Sequence, residues 1–84
     1  MISKSERIKL KEILKEPFIL EVIGILNKKK IYNKNGKPFS KAYISHVFNG
    51  KNANKEIEYA IFEVAEKRKE QQEKLISYKK SVLR

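Results

Sequence analysis

The sequence predicts an all-α fold of about four helices, with a turn or short hairpin before the third and a long helix at the C-terminal end. Apolar residues recur at three- and four-residue spacing in four separate stretches, the period of one buried helix face. Capping residues and glycines punctuate those stretches where helices start and stop. The last stretch, from residue 55 to about residue 83, contains no breaker.

Ser3 followed by Glu6 fits a capping box, and Leu10, Ile13 and Leu14 keep helical spacing, so a first helix is expected over residues 4–15. Pro17 breaks or restarts it. Proline suits a first turn, and Phe18, Ile19, Val22, Ile23 and Leu26 form the apolar stripe of a second helix over residues 17–30. Gly24 inside that helix costs about 1 kcal/mol relative to Ala, which close packing of another helix would explain. From residue 31 to residue 40 the period disappears. Asn33-Lys34-Asn35-Gly36 signals a type I′ turn, because Asn-Gly readily takes positive φ angles. Pro38 forbids a helix here, which leaves residues 31–39 as a short hairpin or an irregular loop.

Ser40 is a good N-cap for a third helix over residues 41–49. Ile44, Val47 and Phe48 fall on its core face; Ala42, Ser45, His46 and Asn49 fall on the other. Gly50 supplies the left-handed residue that ends it. Asn52 or Asn54 caps the last helix, whose first half, with Ile57, Ala60, Ile61, Val64 and Ala65, belongs to the core. Beyond Glu66 the apolar pattern thins to Leu75, Ile76, Tyr78, Val82 and Leu83. The organisation expected is one domain over residues 1–66 and a helical extension over residues 67–84.

Composition narrows the function. A chain of 84 residues buries only around 60% of its unfolded surface, so spare segments call for a partner. There is no Cys and one His, which excludes disulfides and cysteine metal sites and leaves no metal or cofactor expected. The N-terminus is already charged at Lys4, Glu6 and Arg7, and nothing reaches the roughly 18 apolar residues of a membrane span. No membrane partner and a cytoplasmic location are therefore expected. Asp, Thr and Trp are absent while Lys, Ile and Asn abound, the mark of an AT-rich coding sequence, so the total charge counts for less than its distribution.

That distribution is uneven. Residues 22–55 hold no acidic residue and eight lysines, Lys28, Lys29, Lys30, Lys34, Lys37, Lys41, Lys51 and Lys55, which places eight of the ten net positive charges in one block. Segregated charge of this kind is the footprint of a polyanion-binding face. Lysines at the end of a helix also favour its dipole without any ligand, which accounts for part of the run Lys28 to Lys30.

Within the block, a helix of two to three turns, small or polar on its outer face and flanked by lysines, has the dimensions of a major-groove reading element. The segment SKAYISHVFNGKNANKEIEYAI, residues 40–61, resembles the recognition helix and following helix of the phage Cro/repressor (Xre-type) helix-turn-helix family. The matches are the paired apolar positions Ile44 and Val47 and the terminal Asn49-Gly50-Lys51. The resemblance implies a helix-turn-helix-like domain with base-reading side chains at Lys41, Ala42 and His46 and with Ser40 and Ser45 able to contact bases or phosphates. Ser45 and Asn49, on the same outer face, are counted with the base readers. It further implies backbone contacts at Lys51 and Asn52, with Ser40 able to join them. Upstream, IYNKNGKPFS looks like the GI-x-x-x-x-GKPWS segment of the DNA-binding region of large serine recombinases, in which a turn also precedes the reading helix.

Phosphate contacts are accordingly expected from Lys28, Lys29, Lys30, Lys34, Lys37, Ser40, Tyr43, Lys51, Asn52 and Lys55. Tyr32 and Tyr43 have the rings that single-strand binders stack on bases, although packing at the edge of the core is the favoured reading of both. His46 has no orienting partner and no nucleophile beside it in sequence, so neither an enzyme nor a small-molecule substrate is expected. In the tail, positions 57, 61, 64, 75, 78 and 82 keep a four-three spacing interrupted by Arg68 and Gln71. A two-stranded coiled coil and a solvated helix both fit, and association is favoured. The expectation is a sequence-specific double-stranded DNA-binding homodimer, a phage or mobile-element transcriptional regulator acting as a repressor by operator occlusion. A recombination accessory (excisionase-like) factor and an RNA-binding or protein-interaction module are the alternatives.

Overall fold

A computed structural model describes residues 1–15 and 17–83. It consists of four helices, α1 (Lys4–Ile13), α2 (Ile19–Lys28), α3 (Lys41–Phe48) and α4 (Lys55–Val82), with no strand among the described residues.

The cap chemistry sets the helix starts. Ser3 Oγ accepts the Glu6 N–H at 3.2 Å, and Glu6 Oε1 accepts the Ser3 N–H at 3.0 Å, completing a capping box. The Ser3 backbone N–H, and after it the Ser3 hydroxyl, hold the Glu6 carboxyl below its ordinary pKa. α1 stops at Ile13, two residues earlier than the sequence spacing suggests. α2 likewise begins at Ile19 rather than at Pro17, because the residues offered as its first turn are used elsewhere. The Pro17 carbonyl accepts Arg68 Nη2 at 2.7 Å, and the Phe18 ring meets Phe48 edge-on with centroids 4.9 Å apart.

α2 and α3 end in the same way. Beyond α2, Lys30 N–H bonds to Asn27 O and Ile31 N–H to Leu26 O; beyond α3, Gly50 N–H bonds to Val47 O and Lys51 N–H to His46 O. Both are Schellman closures, which require a left-handed residue. Gly50 adopts it at φ 76°, while the equivalent position after α2 is Lys30 at φ 59°. A lysine there carries a steric cost that a glycine avoids.

The turn before α3 is not the type I′ turn that Asn-Gly suggests. Gly36 N–H bonds to Asn33 O, but Asn35 keeps a negative φ and only Gly36 is left-handed, at 73°. The reason is the Asn33 side chain, whose Oδ1 accepts the N–H groups of both Asn35 and Lys37 and so winds the loop around itself. A single backbone bond, Asn33 N–H to Lys37 O, closes the base without forming a ladder.

α4 is the common partner of the other three helices, and α2 also packs on α3. The core joins Ile57, Ala60, Ile61, Val64 and Ala65 of α4 to Val22 and Leu26 of α2, Ile44, Val47 and Phe48 of α3, and Ile2, Leu10 and Leu14 at the N-terminal end. Further along α4, Arg68 also reaches back to the domain; its Nη2 meets Glu21 Oε1 at 2.6 Å. The expected close packing around Gly24 is absent: the residue is exposed, and a Cβ built there would find nothing within 4 Å. The α2 face carrying Leu20 and Gly24 points to solvent, so the absence of a side chain serves no helix contact.

The two left-handed caps make opposite predictions. Lys30→Gly should stabilise the fold by about 0.5–1 kcal/mol, a rise of a few degrees in the thermal midpoint. Gly50→Ala should cost about 1–3 kcal/mol, since its Cβ would sit 3.0 Å from Ile2 O in a backbone conformation that already disfavours it. Thermal denaturation followed by circular dichroism measures both.

Candidate nucleic-acid interface

The short α3 is positioned by three apolar side chains and one cap. Ile44 and Val47 are fully buried and Phe48 nearly so, which fixes the rotation of the helix about its axis. Ser40 Oγ accepts the Tyr43 N–H at 3.2 Å and fixes where the helix starts. The opposite face is therefore determined. It carries Lys41, Ala42, His46 and Asn49, all exposed, with Ser45 half-buried between them. Ser45 and Asn49 are coupled one turn apart, with Asn49 Nδ2 at 3.4 Å from Ser45 Oγ. All five residues picked as base readers thus share one face of one helix.

The phosphate candidates divide into two groups. Lys34, Ser40 and Tyr43 come together with Asn54 around an open cleft of about 620 Å³ between the 33–37 turn and the starts of α3 and α4. Tyr43 is held there by stacking on Phe39, with centroids 5.4 Å apart and an interplanar angle of 13°. This half-buried ring sits at the core edge, as the sequence suggests, while Tyr32 is 44% exposed at the rim of the same cleft. Lys37 and Lys51 are exposed on the loops flanking α3, and Asn52 is half-buried beside them in sequence. Lys55 is exposed in the first turn of α4, whose N-cap is Asn54 rather than Asn52: Asn54 Oδ1 accepts the Ile57 N–H at 3.1 Å.

Lys28, Lys29 and Lys30 form the second group, exposed at the C-terminal end of α2. Lys29 turns toward α4, where its Nζ lies 3.3 Å from Glu63 Oε2. Half-exposed and solvent-screened, that pair is worth little to stability, but it gives Lys29 a protein partner. Among the described residues it is the only one of the eight lysines in an ion pair.

One charged residue at this end of the molecule escaped the sequence pattern. Arg7 of α1 lies against Gly50: its Nη2 is 2.8 Å from the point where a Gly50 Cβ would stand. Nothing in the local sequence signals a contact across 43 positions, and the apolar period of α1 says only that Arg7 is off the main stripe.

Chemically, the surface offers ammonium groups, amides, hydroxyls and one imidazole around a helix of groove-fitting width. Among the described residues no cluster of His, Cys, Asp or Glu is placed to hold a metal, and no helix is long and apolar enough to cross a membrane. No family model, no curated protein and no solved structure matches this chain.

Proposed function

We propose that the protein is a sequence-specific double-stranded DNA-binding protein, a phage or mobile-element transcriptional regulator that occludes its operator. The observation that carries this reading is the α3 face. Five small or polar side chains free of any carboxylate share it, and the helix lies within an acid-free run of eight exposed lysines of which, among the described residues, only Lys29 is in an ion pair. A protein does not concentrate unpaired like charges without a cost in self-repulsion, and a polyanion relieves that cost. Phosphates would engage the lysines and position the domain, while Lys41, Ala42, Ser45, His46 and Asn49 would meet base edges in the major groove.

The distal half of α4 supports a homodimer reading. Gln71, Leu75, Tyr78 and Val82 continue the seam begun by Ile57, Ile61, Val64 and Arg68, and they are exposed. Two copies in parallel would oppose Lys74 to Lys79 across that seam. Antiparallel copies that set Leu75 against Tyr78 oppose Lys74 to Ser81 and Gln72 to Lys79 instead, which avoids the repulsion. The antiparallel register is the one we favour.

Three measurements test these statements. Affinity for duplex DNA should fall with salt along a log-log slope of about −0.9 per phosphate contacted. Replacing Lys28, Lys34 and Lys37 with Gln should flatten that slope on every sequence alike, whereas Lys29→Gln should change it least. His46→Ala and Lys41→Ala should each cost about 1–3 kcal/mol on a site selected from a random library and less on arbitrary DNA. Equal losses on both DNAs would reassign the two residues to phosphate contact. Truncation after Lys69 retains Arg68 and the whole core, so it should leave a folded monomer with weak general binding. A full-length chain that sediments as a monomer at high micromolar concentration overturns the dimer.

A further inference from the structure

Arg7 presents a combination found nowhere else among the described residues. Its Nε is buried without a hydrogen-bond partner, and among the described residues no carboxylate lies within ion-pair distance of its guanidinium. Glu58, the carboxylate that the N-terminal arm does reach, is engaged by the Met1 amino group at 3.3 Å and by the Asn54 N–H at 3.1 Å. At the end of α3 the carbonyls of Ser45, His46 and Val47 accept the N–H groups of Asn49, Lys51 and Gly50. Among the described residues the Arg7 guanidinium makes no hydrogen bond to that helix end.

What admits Arg7 here is space. Its Nη2 and Cζ lie 2.8 Å and 4.0 Å from the position a Gly50 Cβ would take, beside the Ile2 carbonyl. Any side chain at position 50 would displace it. The glycine therefore does two things: it adopts the left-handed angle that ends α3, and it leaves room for an arginine from α1 to reach the C-terminal end of that helix. Next to Gly50 in sequence, exposed Asn49 and Lys51 and half-buried Asn52 bring donors and a positive charge, and the carboxylate reached by the N-terminal arm, Glu58, is engaged by the Met1 amino group. Arg7 is half-buried as a residue, and a planar guanidinium is the side chain best matched to a phosphate, which it grips through paired parallel hydrogen bonds.

We propose that Arg7 is an anion anchor at the C-terminal end of α3 that takes a phosphate of the DNA backbone, in company with Lys51 and Asn52. The assignment rests on the duplex-binding reading above. It adds a contact from outside the lysine block, made by a helix 43 positions away in sequence. Its effect is to fix how far α3 can slide along the groove, because a preorganised arginine at one end of a reading helix sets its register as a mobile lysine cannot.

The test compares the unaltered chain with Arg7→Gln and Arg7→Lys, measuring duplex affinity across a salt series and checking the fold by circular dichroism. Arg7→Gln should lose about tenfold in affinity on selected and arbitrary duplexes alike, and its log-log salt slope should be shallower by about 0.9, one phosphate's worth. Arg7→Lys should recover the slope but only part of the affinity. In a parallel measurement that needs no substitution, phenylglyoxal modification mapped by mass spectrometry should find Arg7 protected by duplex DNA. A folded Arg7→Gln protein with an unchanged slope, or an Arg7 equally reactive with and without DNA, overturns the anchor while leaving the duplex reading intact. An unaltered chain with no salt-dependent duplex affinity overturns the duplex reading, and the anchor with it.

Discussion

The burial of one face of α4, from Ile57 to Ala65, is the constraint on which everything else depends. Ile57, Ile61 and Val64 are almost wholly removed from water, and each of the other helices reaches the core by packing against this segment. At about 25 cal/mol per Å² of apolar area, such side chains supply most of what a small domain has to offset chain entropy. α3 has only eight residues, too few for a helix to persist in water unaided. It exists because Ile44, Val47 and Phe48 find α4 and α2, and because Ser40 and Gly50 close its ends. The orientation of its solvent face follows from that burial.

The same economy explains where charge and stability pull apart. The polar face of α3 contributes almost nothing to the core, and among the described residues only Lys29 of the eight lysines has an ion-pair partner, Glu63. Lys30 adds backbone strain by occupying a left-handed position. Sites of this kind, where local rules are broken against stability, are the places where selection for something other than folding is expected to act.

Local rules made the four helices readable. The Ser3–Glu6 box, the Ser40 and Asn54 caps and the Gly50 stop are patterns of a few residues realised by local hydrogen bonds, and the Ile44/Val47/Phe48 face is realised by burial. What could not be read was set at a distance or by competition. Pro17 and Phe18 leave the helix because Arg68 and Phe48, far along the chain, use them. Asn33 captures two backbone N–H groups and overrides the turn type that Asn35-Gly36 suggests. Gly24 invites a packing explanation that its exposed position removes. Of the candidate interface, the α3 face was legible because helical periodicity fixes it. The place of Arg7 was not, since it depends on how two helices meet, and neither was the diversion of Lys29 to Glu63.

α4 runs from Lys55 to Val82 without a glycine or proline. At 1.5 Å per residue it is a strut about 40 Å long, seated in the core at one end and bare at the other. There is no hinge in it. Whatever grips the bare end is mechanically continuous with the surface that orients α3, so torque at the tail is delivered to the reading face instead of being lost in a slack tether. Two such molecules joined tail to tail would hold their heads at one distance and one angular phase. They would tolerate a single spacing of paired targets where flexibly linked heads accept many.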